Sequence, residues 1–306
     1  MKTSDVFSYS FGAIRLRKLR AALTTLGVVI GIAAIISLLS ISQGLQNTIN
    51  DQLQTGFATD TLIVSAGGGF SVGPRTPVDA GSGFSLLMND TMTINNIQNV
   101  ESSLAIIQRA CYIKSGENEA LLNVVGVDFE DYLSIYSSTF VAETGEIPID
   151  PTNETIIVGK RINDPWENGT IAIAANDSVE LFWINGTSRP PRNETLVGEV
   201  KAVLKEIGSV NAGGPTDSGV YIPIFQAESF FGTDTVDTIV VKLENDDSQT
   251  IDNVSEEIRN AFSGQVSVTS STAILNILSD VTSTIEFFLV GVAAISLIVA
   301  GVGIMN

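Results

Sequence analysis

The sequence predicts an α+β membrane protein in which transmembrane helices flank an extracytoplasmic domain of two β-α-β halves with an inserted β-rich subdomain. Three observations carry this reading. Residues 21–42, AALTTLGVVIGIAAIISLLSIS, hold no charged side chain, and neither do residues 287–306, FFLVGVAAISLIVAGVGIMN. Between these runs lie 244 residues of short apolar segments and amphipathic stretches, enough for a substantial core.

A helix of the first run's length spans about 30 Å at ~1.5 Å per residue, the thickness of a bilayer's hydrocarbon. The run is too long for a signal-peptide core and no A-x-A-like site closes it, so it reads as a retained span. The first 20 residues carry five basic side chains, four of them Arg15, Arg17, Lys18 and Arg20, against one acid, Asp5. Basic flanks stay in the cytoplasm, which places residues 43–286 outside the cell membrane. That middle segment holds 11 of the 16 basic and 33 of the 34 acidic residues, a net charge of −22. Such acidity repels phosphates and argues against nucleic acid as a partner; solubility or adaptation to salt accounts for it.

Residues 1–20 place Phe7, Phe11 and Ile14 at helical spacing beside the basic cluster, an amphipathic helix for the cytoplasmic face of the bilayer. After span 21–42, Leu45, Ile49 and Leu53 continue the helix outward as a stalk. DTLIVSAG (60–67) reads as a strand, TINNIQN (93–99) as a short helix and LAIIQRACYIKSG (104–116) as a second strand. The same order recurs with a strand at 237–245, a helix at 248–262 and a strand at 265–270. The helix sets Ile251, Val254, Ile258 and Phe262 on one face. The two halves therefore occupy about 55–127 and 237–272. The insertion, 128–236, holds ETIIVGK, TIAIA, SVELFWING, TLVGEVKAVLKEIG and SGVYIPI, spaced as the strands of a small all-β unit. Trp166 and Trp183 both lie in it.

The chemistry available is narrow. The chain has no histidine, which removes Ser-His-Asp and Cys-His catalysis and every His-based zinc site. Cys111 is the single cysteine, so no internal disulfide forms, and its apolar surroundings make it a core residue. Gly159-Lys160 lacks the glycine that a phosphate-binding loop needs upstream, so the chain does not bind ATP that way, and no cofactor site is read. Asp128, Glu130 and Asp131 read as a solvated turn. Seven N-x-[ST] glycosylation sequons occur, at Asn89, Asn153, Asn168, Asn176, Asn185, Asn193 and Asn253, all between the two uncharged runs. Gly27 and Gly31 stand one turn apart in the first span, and Gly291, Gly301 and Gly303 lie in the second. Small residues of this kind let helices approach closely in lipid.

The two ends also carry a pattern. LRKLRAALTTLGVVIGIAAIISLLSISQG (16–44) resembles the first span of the MacB/FtsX-type ABC transporter permeases. Leu23, Thr24, Leu26, Gly27, Ile30, Gly31, Ile32 and Ala33 stand at the positions of the family's L-T-x-L-G-x-x-I-G-I-A. AISLIVAGVGIMN (294–306) is similar to the second span, with Ala300 and Val302 in place of a glycine and an isoleucine. VVGVDFEDYL (124–133) and VYIPI (220–224) resemble elements of the family's extracytoplasmic core. The resemblance implies a porter-like pair of β-α-β halves and an inserted subdomain. It also implies a third and fourth span and a cytoplasmic coupling segment beyond Asn306, paired permeases or a homodimer, and an ABC ATPase subunit acting in trans. The expected function is that of the membrane-spanning subunit of an ABC-type efflux or lipoprotein- or peptide-handling system, not an enzyme itself. A membrane-anchored receptor without transport is the alternative, and an anchored ectoenzyme resting on carboxylates alone is a third.

Overall fold

The computed structural model describes residues 60–67, 84–115, 118–165, 172–186, 191–208 and 214–270. It also describes 40–44 and scattered single positions between 25 and 37 and between 273 and 301. The chain divides into two compact units, 51–275 and 1–50 with 276–306. Among the described residues no helix is long and apolar enough to cross a membrane, and most of 21–42 and of 287–306 lies outside them. The described positions in these runs are helical and leave apolar side chains uncovered: Ile36 is 59% exposed, Phe287 79% and Phe288 70%. The amphipathic helix at 1–20 and the stalk positions Leu45, Ile49 and Leu53 lie outside the described residues.

In the unit 51–275, the strands are β1 (Thr61–Ala66), β2 (Leu86–Leu87), β3 (Val100–Ser115), β4 (Asn118–Val127), β5 (Ala142–Gly145), β6 (Thr155–Val158), β7 (Ser178–Asn185), β8 (Arg192–Leu204), β9 (Gly219–Pro223), β10 (Thr235–Val236), β11 (Thr238–Leu243) and β12 (Val266–Ser270). The helices are α1 (Asp90–Asn95), α2 (Phe129–Ile135), α3 (Lys160–Asn163), α4 (Ile224–Phe231) and α5 (Ser248–Ala261). Ten strands form one sheet in the order β12-β1-β11-β3-β4-β9-β6-β8-β5, with β7 pairing both β3 and β8; β2 and β10 form a separate short pair.

The first four strands of that order interleave two β-α-β units. β1 runs antiparallel to β11 and to β12, and β11 runs antiparallel to β3. So β1 and β3 are parallel with β11 between them, while β11 and β12 are parallel with β1 between them. Each crossover thus leaves a gap that a strand of the other unit fills, and neither half has a complete sheet alone. The chain enters and leaves this unit side by side, because Leu62 stands opposite Ser270.

Both faces of the central sheet are covered. On one face, Leu62, Ile107, Val124, Val158, Val220 and Ile239 pack under α1, α4 and α5. On the other, Leu104, Val125, Ile157, Ala202, Tyr221 and Val240 pack under α2 and its aromatic side chains. A strand buried on both sides reads as an unbroken apolar run, which is why β1 (TLIVSA), β6 (TIIV) and β9 (GVYIP) show no alternation. β7 alternates over its first half, with Val179 and Leu181 turned inward.

Local sequence sets the helices. Asp247 caps α5 by accepting from Gln249 N (3.1 Å) and Thr250 N (3.0 Å). The helix buries Ile251, Val254 and Ile258, with Phe262 following on the same side. It ends where Ser263 and Gly264 take positive φ and Gly264 N donates to Arg259 O at 2.7 Å.

Three expectations need correction. The first short helix lies at Asp90–Asn95, not 93–99. Asp90 accepts from Leu87 N at 2.8 Å and sets the start earlier, and Asn99 takes a left-handed φ of 67° where a helix would have continued. Within TIAIA, the described residues 172–174 are not a strand; Ala172 N donates to Asn163 O and the Asn163 amide donates to Ile173 O, both at 2.8 Å, folding this stretch onto α3. The segment 128–236 is not all-β, since α2, α3 and α4 lie in it.

Helix α4 crosses β4 at Gly126, where a Cβ would collide with the Ala227 Cβ. Gly126→Ala should therefore push α4 off the sheet and cost about 1–3 kcal/mol. Denaturant unfolding of the purified chain should show a lower midpoint for this variant and partial recovery in Gly126→Ala/Ala227→Gly. An unchanged midpoint in the single variant would show that the helix has room to move.

Candidate coupling and binding surfaces

Sixteen residues long, β3 pairs first with β11 (100–106) and then with β4 (107–115), and Tyr112, Ile113 and Lys114 also pair with β7. At the handover sits Asp237, just before β11. Its backbone N–H donates to Ile106 O (2.9 Å), and its carboxylate accepts from Gln108 N (2.8 Å) and from the Arg109 guanidinium. The side chain thus carries the ladder past the end of β11. The ion pair is mostly sheltered, with side-chain exposures of 21% and 15%, so its loss leaves polar groups facing a nearly dry seam.

Cys111, two residues along β3, is fully buried among the apolar side chains of the first core face. Burial pushes its thiol up to about 12, against the opposing pull of Arg109. A thiol held there is protonated at neutral pH and does not act as a nucleophile. Tyr132, Tyr136 and Tyr221 form an aromatic cluster with Phe129 and Phe140 under the other face. Burial pushes the Tyr221 phenol up to about 12, and its oxygen accepts from Thr216 N at 2.6 Å. These phenols hold structure.

The carboxylates at 128–131 form a helix start and not the expected turn. Asp128 caps α2, accepting from Glu130 N (3.0 Å) and Asp131 N (3.2 Å). Burial, followed by the charges of Asp128 and Glu130, raises the Asp131 carboxyl above its ordinary range. Among the described residues no cluster of three or more His, Cys, Asp or Glu is placed to hold a metal.

A cleft of about 500 Å³ opens beside the stretch of β4 that β9 does not reach. Ile113, Leu122, Ile162 and Ile173 give it an apolar wall, with Glu119 and Arg161 among its polar lining.

Gly27, Gly31 and Gly303 lie outside the described residues. Among the described residues, no atom lies within 4 Å of where a Cβ would stand on Gly291 or Gly301. Asn168 and Trp166 lie outside the described residues as well. Asn89, Asn153, Asn176, Asn193 and Asn253 are exposed and Asn185 is half-buried. The Asn253 sequon buries its hydroxyl residue, Ser255 (6% exposed), against the core. The Arg109–Asp237 pair was not found from sequence; an arginine inside an apolar strand was its one local sign.

The seam is testable through Cys111. The folded protein should resist maleimide at pH 8 and react only as it unfolds. Asp237→Ala should lower the denaturant concentration at which alkylation begins, by the equivalent of about 1–3 kcal/mol for the donors left unpaired. Equal midpoints for the variant and the natural chain would show that the carboxylate contributes nothing to the join.

Comparison with known proteins places this architecture. The family profile of the MacB-like periplasmic core domain matches residues 21–261. Over its whole length the chain is 26% identical to the macrolide export ATP-binding/permease protein MacB of Acinetobacter baylyi, of which it spans 44%. It is 24% identical, again over its whole length, to a protein of Methanocaldococcus jannaschii named as an ABC transporter permease, of which it spans 71%. The chain therefore covers less than half of the bacterial relative. The crystal structure of the periplasmic region of MacB from Actinobacillus actinomycetemcomitans matches with a TM-score of 0.51, over 74% of this chain and 95% of that one, at 14% identity; that likeness is one of fold. The profile match over most of the sequence shows that the chain belongs to the MacB-like periplasmic core domain family.

Proposed function

We propose that this chain contributes a membrane-spanning segment and the external domain of an ABC-type permease, the subunit that turns ATP hydrolysis by a cytoplasmic partner into movement of the external domain. The observation that carries the reading is family membership across 21–261, in a chain whose folded α+β unit lies between two charge-free runs. Residues 21–42 and 287–306 are the spans, 1–20 the cytoplasmic helix, and 43–286 the extracytoplasmic domain. Within it the porter-like halves take 55–127 and 237–272, and 128–236 is the insertion. The uncovered apolar side chains at Ile36, Phe287 and Phe288 suit a lipid environment better than water.

Mechanical coupling is the mechanism. No Asp, Glu, Lys or Arg lies within either run, so no ion path through them is read. Because β1 and β12, the first and last strands of the unit 51–275, are neighbours, a pull applied at its two ends enters the sheet on adjacent strands and reaches the distal strands through β3. Pairing of two permeases through the Gly27 and Gly31 face of the first span fits the close approach that glycines permit in lipid. The substrate class is that of efflux or of lipoprotein and peptide handling at the outer side of the cell membrane.

The test combines topology with partnership. In a Cys111→Ser background, Ser82→Cys should react with an impermeant maleimide in intact cells. The tagged chain extracted from its native membranes should bring down a P-loop ATPase that the chain itself lacks. An unlabelled but well-expressed Ser82→Cys would contradict the outward placement. Labelling without any ATPase recovered would contradict the permease reading and favour an anchored receptor.

A further inference from the structure

The outer face of the β7–β8 hairpin carries an apolar strip that the described residues leave exposed. Strand register gives its composition. Leu121 stands opposite Tyr112, Tyr112 opposite Phe182 and Phe182 opposite Thr195, so one row crosses β4, β3, β7 and β8. Tyr112 and Phe182 are stacked, with ring centroids 5.1 Å apart and planes at 12°. Leu121 is 62% exposed, and Ile184 (58%) and Val197 (59%) flank the row on the same face. Apolar side chains grouped in this way on an exposed sheet face call for an occupant.

The occupant is written into the same face. Asn193 stands opposite Ile184 and Thr195 opposite Phe182, so both functional residues of the Asn193-Glu194-Thr195 sequon point outward with the strip, and both are exposed. The other described sequons lack this arrangement. Asn185 is half-buried on the opposite face of the hairpin, Ser255 of the Asn253 sequon is buried, and so is Thr155 of the Asn153 sequon. Thr91 of the Asn89 sequon donates to Met88 O at 2.8 Å. Asn176 is exposed but lies ahead of β7, beyond the strip.

We propose that Asn193 carries an N-linked oligosaccharide whose first sugars lie over Phe182, Ile184 and Val197 and shield them from water. Phe182 is the diagonal cross-strand neighbour of Asn193, a separation of about 7–8 Å that one sugar ring bridges. A sugar ring offers a face of C–H groups to an aromatic or aliphatic surface while its hydroxyls stay hydrated, which matches an apolar strip on an exposed sheet. The covalent step requires a lipid-phosphate-linked oligosaccharide and a membrane transferase. The Asn193 amide nitrogen attacks the anomeric carbon, the C–N bond forms as the C–O bond to the lipid phosphate breaks, the phosphate leaves with the electron pair, and the amide loses one proton to a base. Attachment precedes closure of the hairpin, after which the glycan stands on its outer face without displacing any core residue. The proposal rests on the outward placement of residues 43–286.

The experiment uses the full chain purified from its native membranes, with glycopeptide mass spectrometry and binding of a hydrophobic dye. The peptide containing Asn193 should carry an oligosaccharide mass in the natural chain and in Thr195→Ser, and lose it in Asn193→Gln and Thr195→Ala. Dye fluorescence should rise several-fold in Asn193→Gln and return toward the natural value when Phe182→Ser and Ile184→Thr are added. A bare Asn193 in a chain whose Ser82→Cys is labelled from outside overturns the glycan and leaves the topology standing. A bare Asn193 together with an unlabelled Ser82→Cys overturns the outward placement and the glycan with it. A glycosylated Asn193 whose removal leaves dye binding unchanged overturns the shielding role.

Discussion

One strand holds the external unit together. β3 is long enough to be a member of the interleaved β-α-β sheet over its first half and of the β4–β7–β9 region over its second. Neither part has a closed hydrogen-bond ladder without it. The change of partner falls at Ile106 and Ile107, where a strand switching neighbours would leave an unpaired N–H at Gln108. The Asp237 carboxylate accepts that N–H, and Arg109 neutralises the charge this places in a sheltered seam. The cost of an unsatisfied buried donor exceeds the net worth of an ordinary hydrogen bond, so the seam is where a single substitution would be felt across the unit.

The same constraint shapes the cores. Because the sheet is continuous, its apolar layers are too: one face joins Val268 of β12 to Val200 of β8 through β3, β4 and β9, under three helices. The Trp183 indole N–H donates to Phe230 O at 3.0 Å and its ring meets Phe231, which ties the β7–β8 hairpin to α4. The paired strands β1 and β12 are joined to the β7–β8 hairpin by continuous strand pairing through β11 and β3.

How much of this was legible in the sequence depended on whether the signal was local. The α5 helix was readable because Ile251, Val254, Ile258 and Phe262 keep helical period. The strands β1, β3, β11 and β12 were readable from apolar runs bounded by turn residues. The helix α4 was not, because Val220–Ile224 is an apolar run that continues straight into it, and the strand ends only where Pro223 becomes the helix cap. The true start of α1 depended on Asp90 reaching back to Leu87 N, a contact that periodicity does not express. Arg109 and Asp237 lie 128 positions apart, and no pattern within either segment pairs them. The interleaving of the two halves was likewise invisible, since sequence order separates the strands that space makes neighbours.

The claim that β3 makes the unit a single cooperative body is best tested by native-state hydrogen exchange on the purified chain across low denaturant concentrations. The slowest amides of β1 and β11 and those of β6 and β8 should exchange through openings of equal free energy and equal denaturant dependence, since neither group can lose its sheet alone. Two separate plateaus, with the strands on one side of β3 opening at lower free energy while the other side stays protected, would contradict it.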